Sequence, residues 1–420
     1  MGLRMDLGIS VRLLFTFFTA LLCVSFTYSE QKKNDPGPSP NLRIPVDALG
    51  YSAPSSFYLT SRLSSVSLDF IDKDHLLFTF RVPGLMKRMP DQLPDDDDQT
   101  IRAAVLELPS GKVTAQADWR MHDRFRYMWR LANGRFLVRQ RNSLYVTDKS
   151  LELHSYLDSD TPVESIQISP DRKLVVVQTQ SRKEKPETFA STSPTFGDSV
   201  PRPKPIQVYI LHADTRAVIA HAETLNAVNI PIMGDGHLRA ISGKENNWLI
   251  RYLPFKGDER TLTEVQSYCH PTEETMSSDV TLIMTCPRSG NDHQVFAVNL
   301  DGKMLWQQRW ESRYIWPTFQ LTQDGSRFAY SSLQVSHGVG IMDPINETNI
   351  VNQMVGVFDT QTGQLRLVKN ATPILSAGQN YALSADGTRF AVLRDGAIEL
   401  YDLPPASALA PAMPAVNAGH

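Results

Sequence analysis

One short phrase recurs along this chain in a fixed register. Ile168-Ser-Pro-Asp171-Arg-Lys-Leu-Val, Leu321-Thr-Gln-Asp324-Gly-Ser-Arg-Phe-Ala and Leu383-Ser-Ala-Asp386-Gly-Thr-Arg-Phe-Ala each read as a strand, a tight polar turn and a second apolar strand. Turns of the same kind fall at Asp72-Lys-Asp74, Asn133-Gly134, Asp171-Arg172, Gly234-Asp-Gly236, Ser277-Ser278, Asp324-Gly325 and Asp386-Gly387. Their mean spacing is about 50 residues, within the range of repeats that stack to share a core.

A second hairpin follows each turn, as in the runs from Val208 to Val218, Val295 to Trp306 and Val357 to Leu367. Two hairpins per unit make one four-stranded antiparallel sheet. A lone sheet of this kind cannot bury both faces, whereas a ring of sheets buries each against its neighbours and leaves only short edges. The expected fold is therefore all-β, a seven-bladed β-propeller of four-stranded blades. The last unit lacks a strand after Ile398 to Leu403, because Pro404 and Pro405 end the pattern. Leu42 to Leu49 precedes the first blade with nothing to pair with, so it is expected to close the ring inside the last blade.

These residues resemble WD40-like, YVTN-like and quinoprotein-like propeller repeats over roughly Ser65 to Leu403, in the manner of exported bacterial propeller proteins. Phe296-Ala-Val-Asn-Leu-Asp-Gly-Lys-Met-Leu-Trp306 is similar to the quinoprotein-type repeat, and Gln361-Thr-Gly-Gln-Leu365 is a weaker copy. In that group the repeat Trp is structural, so the resemblance implies a blade and no quinone. No cofactor is expected. Trp-Asp does not occur, and Gly-His falls only at Gly236-His237 and Gly419-His420, so the paired Gly-His and Trp-Asp signature of true WD40 repeats is not formed and that family's scaffold chemistry is not carried over.

The N-terminus reads as an export signal. Arg4 and Arg12 give a basic start, and Leu13 to Val24 is an apolar run of about a dozen residues, short for a membrane span. Small residues at Thr27 and Ser29 place the expected cut near Glu30; an uncleaved anchor is the alternative. Cys23 follows Leu21 and Leu22 rather than small residues, which argues against a lipoprotein. The expected organisation is a signal peptide over 1–29, a flexible leader over 30–40, one propeller over 41–405 and an Ala/Pro-rich tail over 406–420. The destination is the periplasm or the cell exterior, with no membrane span after cleavage.

Export leaves Cys269 and Cys286 in an oxidising compartment, where paired thiols are the rule. The Ser277-Ser278 turn lies midway between them, and residues equidistant from a hairpin turn face each other across the ladder, so a disulfide is expected.

The formal charge of -3 over 420 residues, without a basic stretch, argues against nucleic acid as a partner. No Gly-x-Ser-x-Gly elbow, His-Glu-x-x-His or Cys-x-x-Cys occurs, and the ten histidines are scattered, so neither a catalytic set nor a metal site is expected. Long insertions fall between the second and third strands of three units, at Pro83 to Gln99, Ser181 to Pro205 and Gln334 to Asn352. Strand counting places all three on one face. The same face takes two inter-blade connections of like composition, Trp119 to Trp129 and Trp310 to Trp316. Arg offers a planar fork of donors, and Trp and Tyr offer stacking faces, which together suit an anionic, carbohydrate or peptide ligand. The candidate binding residues are Arg120, His122, Arg126, Tyr127, Arg313, Tyr314 and Trp316. The competing reading is that these aromatics pack between blades.

The function expected from the sequence is a non-catalytic, monomeric propeller that recognises a protein, peptide or glycan. The alternative is a propeller enzyme, a lyase, glycan hydrolase or quinoprotein-type oxidoreductase, with its site at the axial channel mouth. Polar groups converging on that channel, or small apolar side chains lining it, would separate the two.

Overall fold

The computed structural model describes residues 37–53, 66–83, 99–121, 126–181, 205–289, 292–336, 345, 348–376 and 379–406. In it the recurring phrase closes each turn through its own side chains. Ser169 Oγ accepts the Leu174 amide at 2.9 Å and donates to Asp171 Oδ1 at 2.7 Å, and that oxygen accepts the Lys173 amide at 3.1 Å. Ser384 with Asp386 serves the Arg389 and Thr388 amides in the same way, and Thr322 with Asp324 serves Arg327 and Ser326. The three hydroxyl residues are buried, where an unpaired amide would be costly. That is why a hydroxyl stands two residues before each aspartate.

The strands form seven four-stranded antiparallel sheets. Blade 1 holds β2 (Val66–Phe70), β3 (His75–Arg81), β4 (Gln99–Glu107) and β5 (Val113–Met121). Blade 2 holds β6 (Met128–Arg130), β7 (Phe136–Gln140), β8 (Ser143–Thr147) and β9 (His154–Asp158). Blade 3 holds β10 (Val163–Ile168), β11 (Leu174–Gln180), β12 (Ile206–His212) and β13 (Val218–Thr224). Blade 4 holds β14 (Ile232–Met233), β15 (Gly236–Ser242), β16 (Asn247–Pro254) and β17 (Arg260–Gln266). Blade 5 holds β18 (Thr272–Thr275), β19 (Val280–Thr285), β20 (His293–Asn299) and β21 (Met304–Trp310). Blade 6 holds β22 (Tyr314–Leu321), β23 (Arg327–Val335), β24 (Ile350–Asp359) and β25 (Leu365–Ala371). Blade 7 holds β26 (Tyr381–Leu383), β27 (Arg389–Arg394) and β28 (Ala397–Asp402), completed by the N-terminal β1 (Leu42–Pro45). All lie in one compact unit, Ser39–His420.

The expected ring closure is present: Leu42 pairs with Leu400 and Ile44 with Ile398. All seven turns fall between the first two strands of a blade, as the sequence implies. The insertions lie between second and third strands; in blade 6 the flanking strands extend to Val335 and restart at Ile350, so the third insertion is shorter than expected. The expected signal peptide, most of the leader and of the three insertions, and nearly all of the tail fall outside the described residues. Among the described residues no helix is long and apolar enough to cross a membrane.

Blades are tied by outer-strand side chains that reach the next blade. Trp119 of β5 donates to Leu151 O in blade 2 at 3.3 Å, and Trp306 of β21 donates to Thr360 O in blade 6 at 2.8 Å. Arg260 of β17 does the same to Leu300 O in blade 5 at 2.7 Å. Trp306 thus has the structural part that the repeat resemblance implied.

The Cys269–Cys286 disulfide forms, with Cα atoms 5.5 Å apart. Its geometry differs from a strict mirror about Ser277-Ser278. The ladder pairs Thr272 with Met284 and Glu273 with Ile283, which centres the turn on Ser278 and makes His270 the mirror partner of Cys286. The chain leaves the ladder before Thr272, and this brings Cys269 within bridging distance instead.

Arg327 is fully buried and every nitrogen of its fork has an acceptor. Nε donates to Asp359 Oδ1 at 2.8 Å, and the two Nη groups donate to Gly387 O and Pro404 O. Asp359 also takes Arg366. One guanidinium thereby joins blade 6 to the turn and the exit strand of blade 7. Arg327→Met, which leaves Asp359 half-compensated and two carbonyls without donors, is expected to cost about 3–5 kcal/mol in chemical denaturation, and Arg327→Lys is not expected to restore it because one ammonium cannot span three acceptors. Cys286→Ser is expected to cost about 3 kcal/mol, the loop-closure value for a bridge of this span, and peptide mapping of unreduced protein should recover both cysteines in one linked fragment.

Candidate functional site

First strands border the ring axis, so some of their side chains face a channel while others pack in the apolar clusters between blades. Asp69 projects from β2, Arg130 from the end of β6, and Glu273 and Glu274 from β18. Arg126 stands just ahead of β6, and Arg172 sits in the turn after β10. All six meet a lumen of about 400 Å³. A second cavity, of about 470 Å³, opens on the turn-bearing rim among Asp72, Lys73, Asp148, Lys149 and Asp386. Arg130 and Arg172 line both cavities, so these two guanidiniums form the neck between them.

The arginines are held by backbone and not by acids. Arg126 Nε donates to Met128 O at 3.1 Å, and its guanidinium lies 5.6 Å from the Trp129 ring centre. Arg130 donates to Leu383 O of blade 7 at 2.9 Å, and Arg172 donates to Leu321 O of blade 6 at 2.8 Å. Asp69 accepts from Ser67 at 3.0 Å. Among the described residues, none of the six channel charges forms an ion pair with another, although Asp69 feels all three arginines.

Burial pushes the Asp69 carboxyl up, and Arg130, Arg126 and Arg172 pull it back. Burial lowers Arg126 and Arg130, opposed by Asp69. Arg126 nevertheless stays open to water at the channel mouth, which moderates its shift. Burial, and then the like charge of Arg130, push Arg172 down to about 9; a guanidinium remains charged at neutral pH even so. Across the lumen, burial and the neighbouring Glu273 push Glu274 up to about 7. Glu273 is itself raised by burial, and its Oε1 has no hydrogen-bond partner in the protein.

The residues singled out from sequence divide. Arg126 lines the channel. Tyr127 is buried between blades, its hydroxyl 2.6 Å from Thr79 Oγ1 of blade 1, and is closed to a ligand. Trp119 and Trp129 are likewise buried. Arg120 is half-buried on the outer strand of blade 1, away from the axis, and His122 lies outside the described residues. Arg313, Tyr314 and Trp316 are half-exposed where the chain enters β22, on the same face as Arg126. Arg313 stacks 5.2 Å from the Tyr314 ring centre and pairs with Glu311, and Trp316 leans on Leu333 and Ile350. These three do not line the lumen.

Sequence reasoning passed over Asp69, Arg130, Arg172, Glu273 and Glu274, yet a signal for most of them was present. Three residues before the turn, the repeat carries Ile168, Leu321 and Leu383 in three blades but Asp69, Arg130 and Glu274 in three others. Arg172 stands where the parallel turns have Gly325 and Gly387, and it adopts their left-handed backbone, with φ 61° against 68° and 69°.

No family model and no curated protein matches the chain. Among solved structures it is similar to the acylaminoacyl peptidase of Pyrococcus horikoshii, at 12% identity and TM-score 0.46 over 83% of this chain and 53% of that one. It is similar to TolB from Acinetobacter baumannii at 14% identity and TM-score 0.36, over 77% and 76%. A chain of a mitotic checkpoint complex aligns at 11% identity and TM-score 0.42, over 89% and 94%. The chain spans about half the length of the peptidase. Similarity at this level carries nothing about ligand or activity.

Glu274 makes stability depend on pH. Between its ordinary value of 4.5 and about 7, the folded protein keeps a proton that the unfolded chain has released, so stability falls as pH rises through that window. Glu274→Gln is therefore expected to raise the melting temperature at pH 8 and to change it little at pH 4. The gain is bounded at about 3 kcal/mol and reduced by whatever lumen water screens.

Proposed function

We propose that this chain is an exported recognition propeller that holds a charged ligand in its axial channel. The partner, a protein, peptide or glycan, meets the face that carries the long insertions. One observation carries the reading: Asp69, Arg126, Arg130, Arg172, Glu273 and Glu274, drawn from four blades, face one lumen without pairing among themselves. Charges kept apart in a partly dry space are costly to a fold, and a ligand of complementary charge offsets that cost. Arg126 stands at the insertion-face end of the channel, with Arg313, Tyr314 and Trp316 on the same face. Guanidinium and aromatic groups are the residue types that dominate binding energy when a partner desolvates them. The disulfide supports export, since such bridges persist in oxidising compartments.

A catalytic reading is favoured by one feature, the Glu274 carboxyl at about 7 beside Glu273 in the channel, which is the range of a group that moves protons at neutral pH. Under that reading Glu274→Gln abolishes turnover and leaves binding intact.

The recognition reading is tested with Arg126→Ala and Arg313→Ala together. Both side chains reach solvent, so the double variant is expected to keep the wild-type melting temperature. It is expected to lose the partner that wild-type protein retains from the native secretome. Undiminished retention by a folded double variant would overturn the placement of the partner on this face.

A further inference from the structure

Arg130 and Arg172 come from different blades and meet at the neck between the channel and the outer cavity. Each spends one N–H on a carbonyl of a non-adjacent blade, Leu383 of blade 7 for Arg130 and Leu321 of blade 6 for Arg172. The remaining N–H groups of both forks have no acceptor in the protein among the described residues, and the Nε of Arg130 is buried in that condition. A guanidinium presents five donors in a planar fork, so each arginine retains most of its hydrogen-bonding capacity. We propose that the neck between Arg130 and Arg172 binds an oxyanion, the carboxylate or phosphate group of the channel's ligand. This rests on the channel being the binding site proposed above and names the chemistry of its ligand.

Three further observations support the assignment. The two like charges are close enough for Arg130 to depress Arg172, and no acid pairs with either. An anion between them removes that repulsion and supplies the acceptors. Arg172 occupies a left-handed turn position that Gly325 and Gly387 fill elsewhere in the ring. A side chain there costs roughly 1–2 kcal/mol, and the turn itself is closed by Ser169 and Asp171 without help from the arginine. The fold therefore gains nothing at the turn from having arginine in place of glycine. The surrounding charges set the limits of the site. Asp69 lines the channel side, where its charge acts on both arginines and opposes an anion. Asp386 acts on Arg130, but its Oδ1 is occupied by Ser384 and Thr388. Lys73 and Lys149 balance Asp72 and Asp148 at the outer cavity.

The test is calorimetric titration of the full chain with sodium phosphate and, separately, sodium acetate, each against sodium chloride at equal ionic strength. Saturable binding of at least one oxyanion beyond chloride is expected. Arg172→Gly relieves the left-handed strain and gives up the bond to Leu321 O, so its melting temperature should stay near the wild-type value, while oxyanion affinity falls about tenfold or more, the equivalent of one charged hydrogen bond. Asp69→Asn removes the opposing charge and is expected to tighten binding, a gain that misfolding cannot mimic. Phosphate binding alone assigns a phosphorylated ligand, acetate binding alone assigns a carboxylate, and binding of both supports the oxyanion site for either group. The assignment is overturned if neither anion binds beyond chloride, or if folded Arg172→Gly binds as wild type does. If partner capture still depends on Arg126 and Arg313 when neither anion binds, the recognition reading stands and the oxyanion site does not. If anions bind and capture is insensitive to Arg126 and Arg313, the reverse holds.

Discussion

A ring of twisted sheets holds its shape only if its first and last blades are locked together, and here four residues at the N-terminus do this. β1 adds the outer strand of blade 7, with Leu42 opposite Leu400 and Ile44 opposite Ile398. Ile44 and Val46 then pack in one cluster with Leu68, Phe78 and Phe80 of blade 1 and Leu393 and Leu400 of blade 7. The same short strand is therefore hydrogen-bonded to one blade and packed on the next. Without it, blade 7 would expose an unpaired edge and blade 1 an apolar face. The channel exists because this joint fixes the circumference.

Where one blade passes to the next, amide side chains act as extra backbone. Gln167 and Gln178 of blade 3 bond the chain entering blade 4, through Ile230 and Asn229 and through Val228. Gln320 and Gln353 of blade 6 do the same for blade 7, through Tyr381 and Leu383 and through Leu375 and Asn380. An amide carries both donor and acceptor, so one side chain can satisfy an exposed N–H and a carbonyl where two strands diverge. These bonds tie each blade to the next, so the strands that carry the channel charges are held in place by contacts other than ion pairs.

The architecture was legible because it is periodic. Three turns share the hydroxyl–aspartate signature and four more fall at the same spacing as short polar turns between apolar strands, so the seven turns and the missing strand of blade 7 could be read directly from the chain. The disulfide pairing was legible too, although the register is centred one half-residue later than symmetry about Ser277-Ser278 implies, since nothing local marks where the chain leaves the ladder before Thr272. The site was harder to read, because a ring brings together residues that are far apart in sequence. Asp69 and Arg172 are a hundred residues apart in the chain, and only the radial geometry makes them neighbours. The aromatic-basic stretches drew attention by composition, yet Trp119, Tyr127 and Trp129 serve the contacts between blades. Departure from the repeat was the better signal: a charge or an arginine where sister blades place an aliphatic residue or a glycine.

Arginine itself shows how frame and site differ within one fold. Arg327 is as buried as any residue in the ring, and each nitrogen of its fork has an acceptor in the protein: a carboxylate of its own blade and two carbonyls of the blade 7 turn and exit strand. Every nitrogen is engaged and the side chain has no surface open to a ligand, so its removal damages the ring alone. Arg130 and Arg172 are also enclosed, but each is tethered by one carbonyl and has no carboxylate in contact. Burial without saturation raises the energy of the empty ring, and a complementary group entering the lumen lowers it again. The fold tolerates that cost at the axis because the stabilising contacts lie elsewhere, in the apolar clusters between blades and in the closing strand. Saturation of the fork, more than depth of burial, therefore separates the arginine that builds the propeller from those that equip its channel.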